Sequence, residues 1–250
     1  MQPGSDGRRF AVHDHRPNGT PGGGRQEPVA LEVRHTTAEG ARQSDGRAGD
    51  HDCVLRIERH ACVAAVSDDD SADRFLARLL LEGRPGRSVC VYGHDTDAEH
   101  AAVERLVGVV PPGMPLPEEA SVHDVLVTAA EDKGLAPDTA AERATDLTDA
   151  LDLKTVEHTP VAELTPGQRS RTALGCALPH VPGLLLLSLP LDDVDSVSEK
   201  ILSRALSRYT ASTGSVLFST RSQDVAHRIA DRQFTVRDGE VSCRCRTGDD

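Results

Sequence analysis

Apolar positions along the chain fall into short runs divided by polar segments rich in Gly and Pro, and their spacing switches between two periods. Val29 to Val33, Cys53 to Arg59, Ala61 to Val66 and Ser88 to Tyr92 read as strands, with Ser71 to Leu81 as a helix among them. Val122 to Lys133, Thr139 to Leu153 and Gly167 to Leu178 space their apolar residues near the helical period. Leu184 to Leu187 is continuously apolar between Pro182-Gly183 and Pro190, which predicts a strand buried on both faces at the centre of a parallel sheet. A helix over Val197 to Tyr209, a strand over Ser215 to Ser219, a helix over Gln223 to Ala230 and two strands around Asp238-Gly239 complete the pattern. Interleaved strands and helices with a helical insertion predict an α/β domain.

Residues 1–28 carry almost no apolar side chains, so they predict an N-terminal arm that cannot repay the entropy of ordering. The domain is expected over 29–241, with a helical subdomain at about 113–178 and a flexible tail at 242–250. With 250 residues there is enough chain to bury a substantial core. Aromatics are only 2% of the chain and Trp is absent, so that core must be aliphatic and stacking surfaces for bases are scarce. A formal charge of −12 gives no general attraction to nucleic acid or anionic lipid. No run approaches the roughly 20 apolar residues of a membrane span, so a cytoplasmic protein is expected, held at a membrane only through a partner. The six Cys are scattered, and Cys62, Cys90 and Cys176 sit among apolar neighbours as small hydrophobes. Cys243 and Cys245 alternate on a terminal strand, but no second Cys or His pair stands near, so no metal site is assigned. The 11 His residues show no metal or catalytic spacing.

Leu164-Thr165-Pro166-Gly167-Gln168-Arg169-Ser170-Arg171, a helix, and Leu184 to Asp195 follow in an order that resembles the ATP-binding-cassette (ABC) signature, its helix, and the Walker B strand with its D-loop. Val216 to Arg221 resembles the switch strand, and Ala230-Asp231-Arg232 with Asp238-Gly239 resembles the family's ending. Ala61 to Leu80 aligns with strand, phosphate loop and helix, and Arg105 to Pro111 with the approach to the Q-loop. Val91 to Asp95 and this approach look nearest to the ATPase subunits of ABC-2-type exporters. The resemblance implies a P-loop-NTPase-like, mostly parallel sheet with N-terminal antiparallel strands and a helical subdomain.

A phosphate loop needs Gly for close backbone approach, Lys for the phosphates and Ser or Thr for magnesium. The matching segment, Ser67 to Phe75, has no Gly; Asp73 stands at the Lys position and Arg74 at the hydroxyl position, and Asp68, Asp69 and Asp70 add negative charge. This acidic run reads better as a helix start, with Asp70 or Ser71 as N-cap, than as a calcium site. Ser188 and Leu189 replace the Walker B carboxylates, Pro112 the Q-loop Gln and Arg221 the switch His, and no aromatic lies in the loop before Cys53 to stack adenine. Arg221 reads as a surface charge. No residue is assigned a catalytic role.

The signature is better kept, and in the family it faces the nucleotide of an opposite subunit. The resemblance therefore makes Leu164, Thr165, Gly167, Gln168 and Asp195 contacts to an ATP and magnesium held by a partner, although Pro166 removes one N–H and Asp195 is equally well explained as a helix cap. No cofactor is expected in the chain's own site. The resemblance implies a non-hydrolysing partner or regulator of an ABC export complex, with a membrane permease and a competent ATPase, or a second copy, as partners. The competing expectations are a soluble interaction module built on the same fold and, less well supported, an atypical ATPase.

Overall fold

The computed structural model describes residues 29–35, 53–81, 87–189, 194–238 and 240–242. The expected N-terminal arm, the loop before Cys53, residues 190–193 and the Cys243/Cys245 pair lie outside the described residues.

Two sheets form the framework. β1 (Val29–His35), β2 (Cys53–Glu58), β4 (Arg87–Val91) and β5 (His94–Asp95) pair antiparallel in the order β2-β1-β4-β5. The second sheet has the order β10-β9-β3-β8-β7-β6, built from β3 (Cys62–Val66), β6 (Val107–Val110), β7 (Leu184–Leu187), β8 (Ser215–Thr220), β9 (Arg232–Arg237) and β10 (Glu240–Ser242). Its pairs are parallel from β9 to β6, and β10 returns antiparallel on β9. The all-leucine strand β7 is thus one strand in from the β6 edge, and β3 and β8 hold the centre. Its apolar run reports burial on two faces, which an off-centre strand achieves wherever both faces are covered.

Those faces are easy to trace. Cys62, Ala64 and Val66 of β3, Leu185 and Leu187 of β7, and Val216 and Phe218 of β8 enter one core. Val63, Ala65, Leu184, Leu186 and Leu217, at the alternate positions, enter the other. The second core is closed by α1 (Ser71–Leu81), through Ala72, Phe75, Leu76 and Leu79, and by Leu31, Ile57 and Val91 of the antiparallel sheet. The first is closed by α5 (Pro166–Ala177), α6 (Ser196–Ser212) and α7 (Gln223–Ile229), together with α3 (Val122–Asp132) and α4 (Pro137–Ala150). Each large aliphatic side chain buried this way contributes about 1.5–3 kcal/mol, so the leucines of β7 are central to stability. The short helix α2 (His100–Leu106) runs directly into β6, its C-cap Val107 already extended.

The connection from α5 to β7 is held by three side chains from distant parts of the chain. Arg143 of α4 donates to the carbonyls of Leu178 (3.1 Å) and Pro179 (3.2 Å). The chain's two tyrosines donate to consecutive carbonyls, Tyr209 to Pro182 and Tyr92 to Gly183 at 2.5 Å. Val181 within it has φ +51°, a left-handed backbone that a β-branched residue rarely adopts. Among the described residues no helix is long and apolar enough to cross a membrane.

Candidate functional site

The carboxyl ends of β3, β6, β7 and β8 meet at one edge of the parallel sheet, the usual place for ligands in open α/β sheets. A cavity of about 480 Å³ opens there, between Ser67 to Asp73, the proline-rich loop after β6, the start of α5 and the strand-end residues Ser188, Leu189, Ser219 and Arg221.

Only Ser67 to Asp70 connect β3 to α1, and their groups bond to one another. The Ser67 N–H donates to Thr220 O (3.3 Å); the Ser67 hydroxyl donates to Asp69 O (2.5 Å) and accepts from the Ala72 N–H (3.0 Å). The Asp69 carboxylate accepts from the Ser71 N–H at 2.8 Å. Hydrogen bonds from Ser71, its side chain first and its backbone second, hold the Asp69 carboxyl below the usual carboxylate range. Asp70 precedes the helix and its carbonyl accepts from Arg74 N. Asp70 thus occupies the expected N-cap position, but the side-chain capping comes from its neighbours. The Asp69 and Ser67 side chains take the first N–H groups, because the loop folds back through Ser67.

Asp73, in the first turn of α1, is half-buried and accepts a hydrogen bond from the Ser219 hydroxyl at the end of β8. Ser219 Oγ also lies 3.5 Å from Leu187 O. Ser188 follows directly on β7 and its N–H donates to Val110 O at 2.8 Å. Leu189 is 4% exposed and belongs to the core that α3 to α7 cover. Pro112 and Arg221 are exposed at the cavity rim. Arg169 reaches from α5 to the Glu118 carboxylate, whose pKa this contact lowers. Among the described residues no group of three or more His, Cys, Asp or Glu side chains is arranged to hold a metal.

The signature-like segment forms the start of α5. Thr165 is its N-cap: its hydroxyl accepts from Gln168 N (3.3 Å), and the Gln168 side chain accepts from Thr165 N (2.9 Å). This is a reciprocal capping box, with Pro166 at the first helical position, where no N–H is needed. Leu164 is half-buried against the core. Gly167 is buried where α5 crosses α6; a Cβ there would meet Ser198 Cβ at 2.5 Å and Asp195 Oδ2 at 2.7 Å. Asp195 caps α6, accepting from Val197 N (3.0 Å), Ser198 N (2.9 Å) and Ser198 Oγ (2.7 Å), bonds that lower its pKa, that from Ser198 N foremost. Arg171, 6% exposed, donates to the carbonyls of Leu151 (3.0 Å) and Asp152 (2.7 Å) and ties α5 to the end of α4. Burial pushes its pKa down, and Asp152 and Asp195 oppose that shift.

The structure thus brings Gly167 and Asp195 together, pairs Thr165 with Gln168, and sets Leu164 on the core. Sequence reasoning missed the partnership of Asp73 with Ser219 and that of Arg169 with Glu118. Nothing in spacing signals contacts between residues so far apart in the chain.

No family profile matches the chain. A sulfate/thiosulfate import ATP-binding protein of Brucella melitensis is 30% identical over 198 residues, 76% of this chain and 55% of that protein. A Nod factor export ATP-binding protein of Sinorhizobium fredii is 26% identical over 180 residues, 71% of this chain and 52% of that one. The chain therefore spans about half the length of these curated relatives. Among solved structures, cbiO1 of Clostridium perfringens, part of the ABC transporter complex cbiONQ, superposes with a TM-score of 0.69 over 87% of this chain and 88% of its own at 17% identity. An ATP-binding subunit of an ABC transporter gives 0.66 over 86% and 88% at 20% identity. Sheet order, strand-end cavity and relatives agree, and the described chain is a nucleotide-binding domain of the ATP-binding-cassette family.

Proposed function

We propose that this domain is a non-hydrolysing subunit of an ABC complex, which contributes its fold to a partner rather than turning over ATP itself. The observation that carries the reading is the state of the α1 N-terminus. In a phosphate loop, free N–H groups and a Lys face the nucleotide. Here the Ser71 and Ala72 N–H groups donate to Asp69 and Ser67, and Asp73 faces Ser219 from the Lys position. The residues present do not fit a magnesium nucleotide. Arg74 replaces the metal-binding hydroxyl, Ser188 and Leu189 replace the carboxylates, and three aspartates line the cavity. No hydrolytic step is derived through them.

The reading assigns the chain a membrane permease and either a competent ATPase subunit or a second copy, and a place at the inner membrane face through them. The relatives are named for both import and export, and the export direction rests on the resemblance of Val91 to Asp95 and of Val107 to Pro111. Calorimetric titration of the purified chain with magnesium-ATP tests it: no saturable binding up to millimolar nucleotide is expected. Micromolar binding, about −8 kcal/mol, together with phosphate release would sink the proposal.

A second reading, an interaction module without a transport partner, is favoured by one observation. Thr165, Gln168, Gly167 and Asp195 all serve caps and close packing within the chain, so a partner's ATP is not needed to explain them. Mixing the chain with a competent ATPase subunit separates the two: a changed turnover of that subunit supports the first reading, and no association supports the second.

A further inference from the structure

The strand-end cavity has a donor and acceptor pattern of its own. Ser188 is 7% exposed and lines it, yet its hydroxyl has no hydrogen-bond partner among the described residues. Its oxygen is open to the cavity rather than sealed off, so it is free to bond to what enters there. The pairing of Leu187 with Phe218 puts Ser188 beside Ser219 on adjacent strands, and Ser219 donates to Asp73. An ionised carboxylate only accepts, and one hydrogen bond leaves most of its capacity unused. Asp69 and Asp70 add acceptors at the same end. Of the lining cations, Arg169 is engaged by Glu118. Arg221 stands exposed at the rim, Ser67, Ser170 and Thr220 add hydroxyl groups to the lining, and the hydrocarbon part of the wall comes from Met114, Pro115, Leu116, Ala173 and Leu189.

We propose that this cavity binds a small organic ammonium compound, with its cationic head at Asp73, Ser188 and Ser219 and its hydrocarbon body against Met114, Leu116 and Leu189. An ammonium group offers three donors and no acceptor, the complement of this cluster, whereas a phosphate offers only acceptors. The proposal rests on the reading that no nucleotide occupies the cavity.

The test is calorimetric titration of the full chain with octylamine, a cation at neutral pH, beside octanol and octanoate of equal length and, separately, magnesium-ATP. Octylamine is expected to bind at least about tenfold more tightly than the other two, the scale of one charge-assisted hydrogen bond. Asp73→Asn should weaken it by about tenfold and Ser188→Ala by severalfold, with circular dichroism confirming that each variant is folded. If Asp73→Asn does not fold, Ser188→Ala decides. Equal binding of octanoate, indifference of octylamine to Ser188→Ala, or no octylamine binding by folded chain overturns the proposal. Loss of octylamine binding with no magnesium-ATP binding removes this inference alone; tight magnesium-ATP binding removes the reading beneath it.

Discussion

The Ser219 hydroxyl donates to the Asp73 carboxylate and joins the end of β8 to the first turn of α1 across the floor of the cavity. A Lys in the place of Asp73 would meet the same hydroxyl, but the neighbouring N–H groups would still be bonded to Asp69 and Ser67. Asp73→Lys is therefore expected to give no ATP hydrolysis in a phosphate-release assay. Ser219→Ala should lower the unfolding free energy by about 1 kcal/mol, measured by urea titration.

Capping at α5 gives a test that is independent of any ligand. Thr165→Ala removes the acceptor for Gln168 N and should destabilise the fold by about 1 kcal/mol. Thr165→Ser, which keeps the hydroxyl, should recover most of it, and added nucleotide should change neither result.

Gly167 is fixed by the crossing of α5 and α6. Gly167→Ala should cost about 1–3 kcal/mol by overpacking against Ser198 and Asp195. A Ser198→Gly background should reduce that penalty, so the two substitutions should be non-additive in thermal unfolding.

Val181 is 40% exposed and left-handed, so replacing it loses little burial and relieves backbone strain. Val181→Gly should stabilise the chain by about 0.5–1 kcal/mol, the left-handed penalty less the entropy of Gly. Val181→Ile should give no such gain in the same denaturant series.

The carboxyls of Asp69, Asp95 and Asp195 are all held below their ordinary range by hydrogen bonds, Asp95 chiefly by the Ala98 N–H. A lowered folded value means stabilisation that is complete above the unfolded pKa, about 3.9, and is lost as pH falls through the folded value. The urea midpoint should accordingly fall on acidification below about pH 4, and Asp195→Asn should flatten part of that decline. Cys62 and Cys176 behave oppositely: burial raises both thiols from 9.0 to about 12, so their stabilisation is present below the unfolded thiol range and lost as pH rises above it. Neither should react with a disulfide reagent at neutral pH until the chain unfolds.

The elements were legible because β3, β7 and β8 feed two cores at alternate positions, which writes solid apolar runs into the sequence. The place of β7 in the sheet was not, since burial on both faces is the same signal in the centre and one strand away. At the site, Asp73, Ser188 and Leu189 were found by their place in a known order of motifs. The Asp73 and Ser219 contact joins positions 146 residues apart, and no local pattern encodes it. The capping box was spelled out by Thr165 and Gln168, three residues apart, but the same letters also spell the family signature, and only the geometry shows both side chains satisfied at home.

By the sequence resemblance Leu189 stands where the family carries a carboxylate, and the structure buries it in the packed interior. Putting Glu back would place a charge among aliphatic neighbours, where it must either take up a proton or loosen the fold around it. On the proposed reading this packing works as a ratchet: with that position in the interior, a route to a water-activating base passes through a less stable protein, and compensating changes in packing must come before the chemistry.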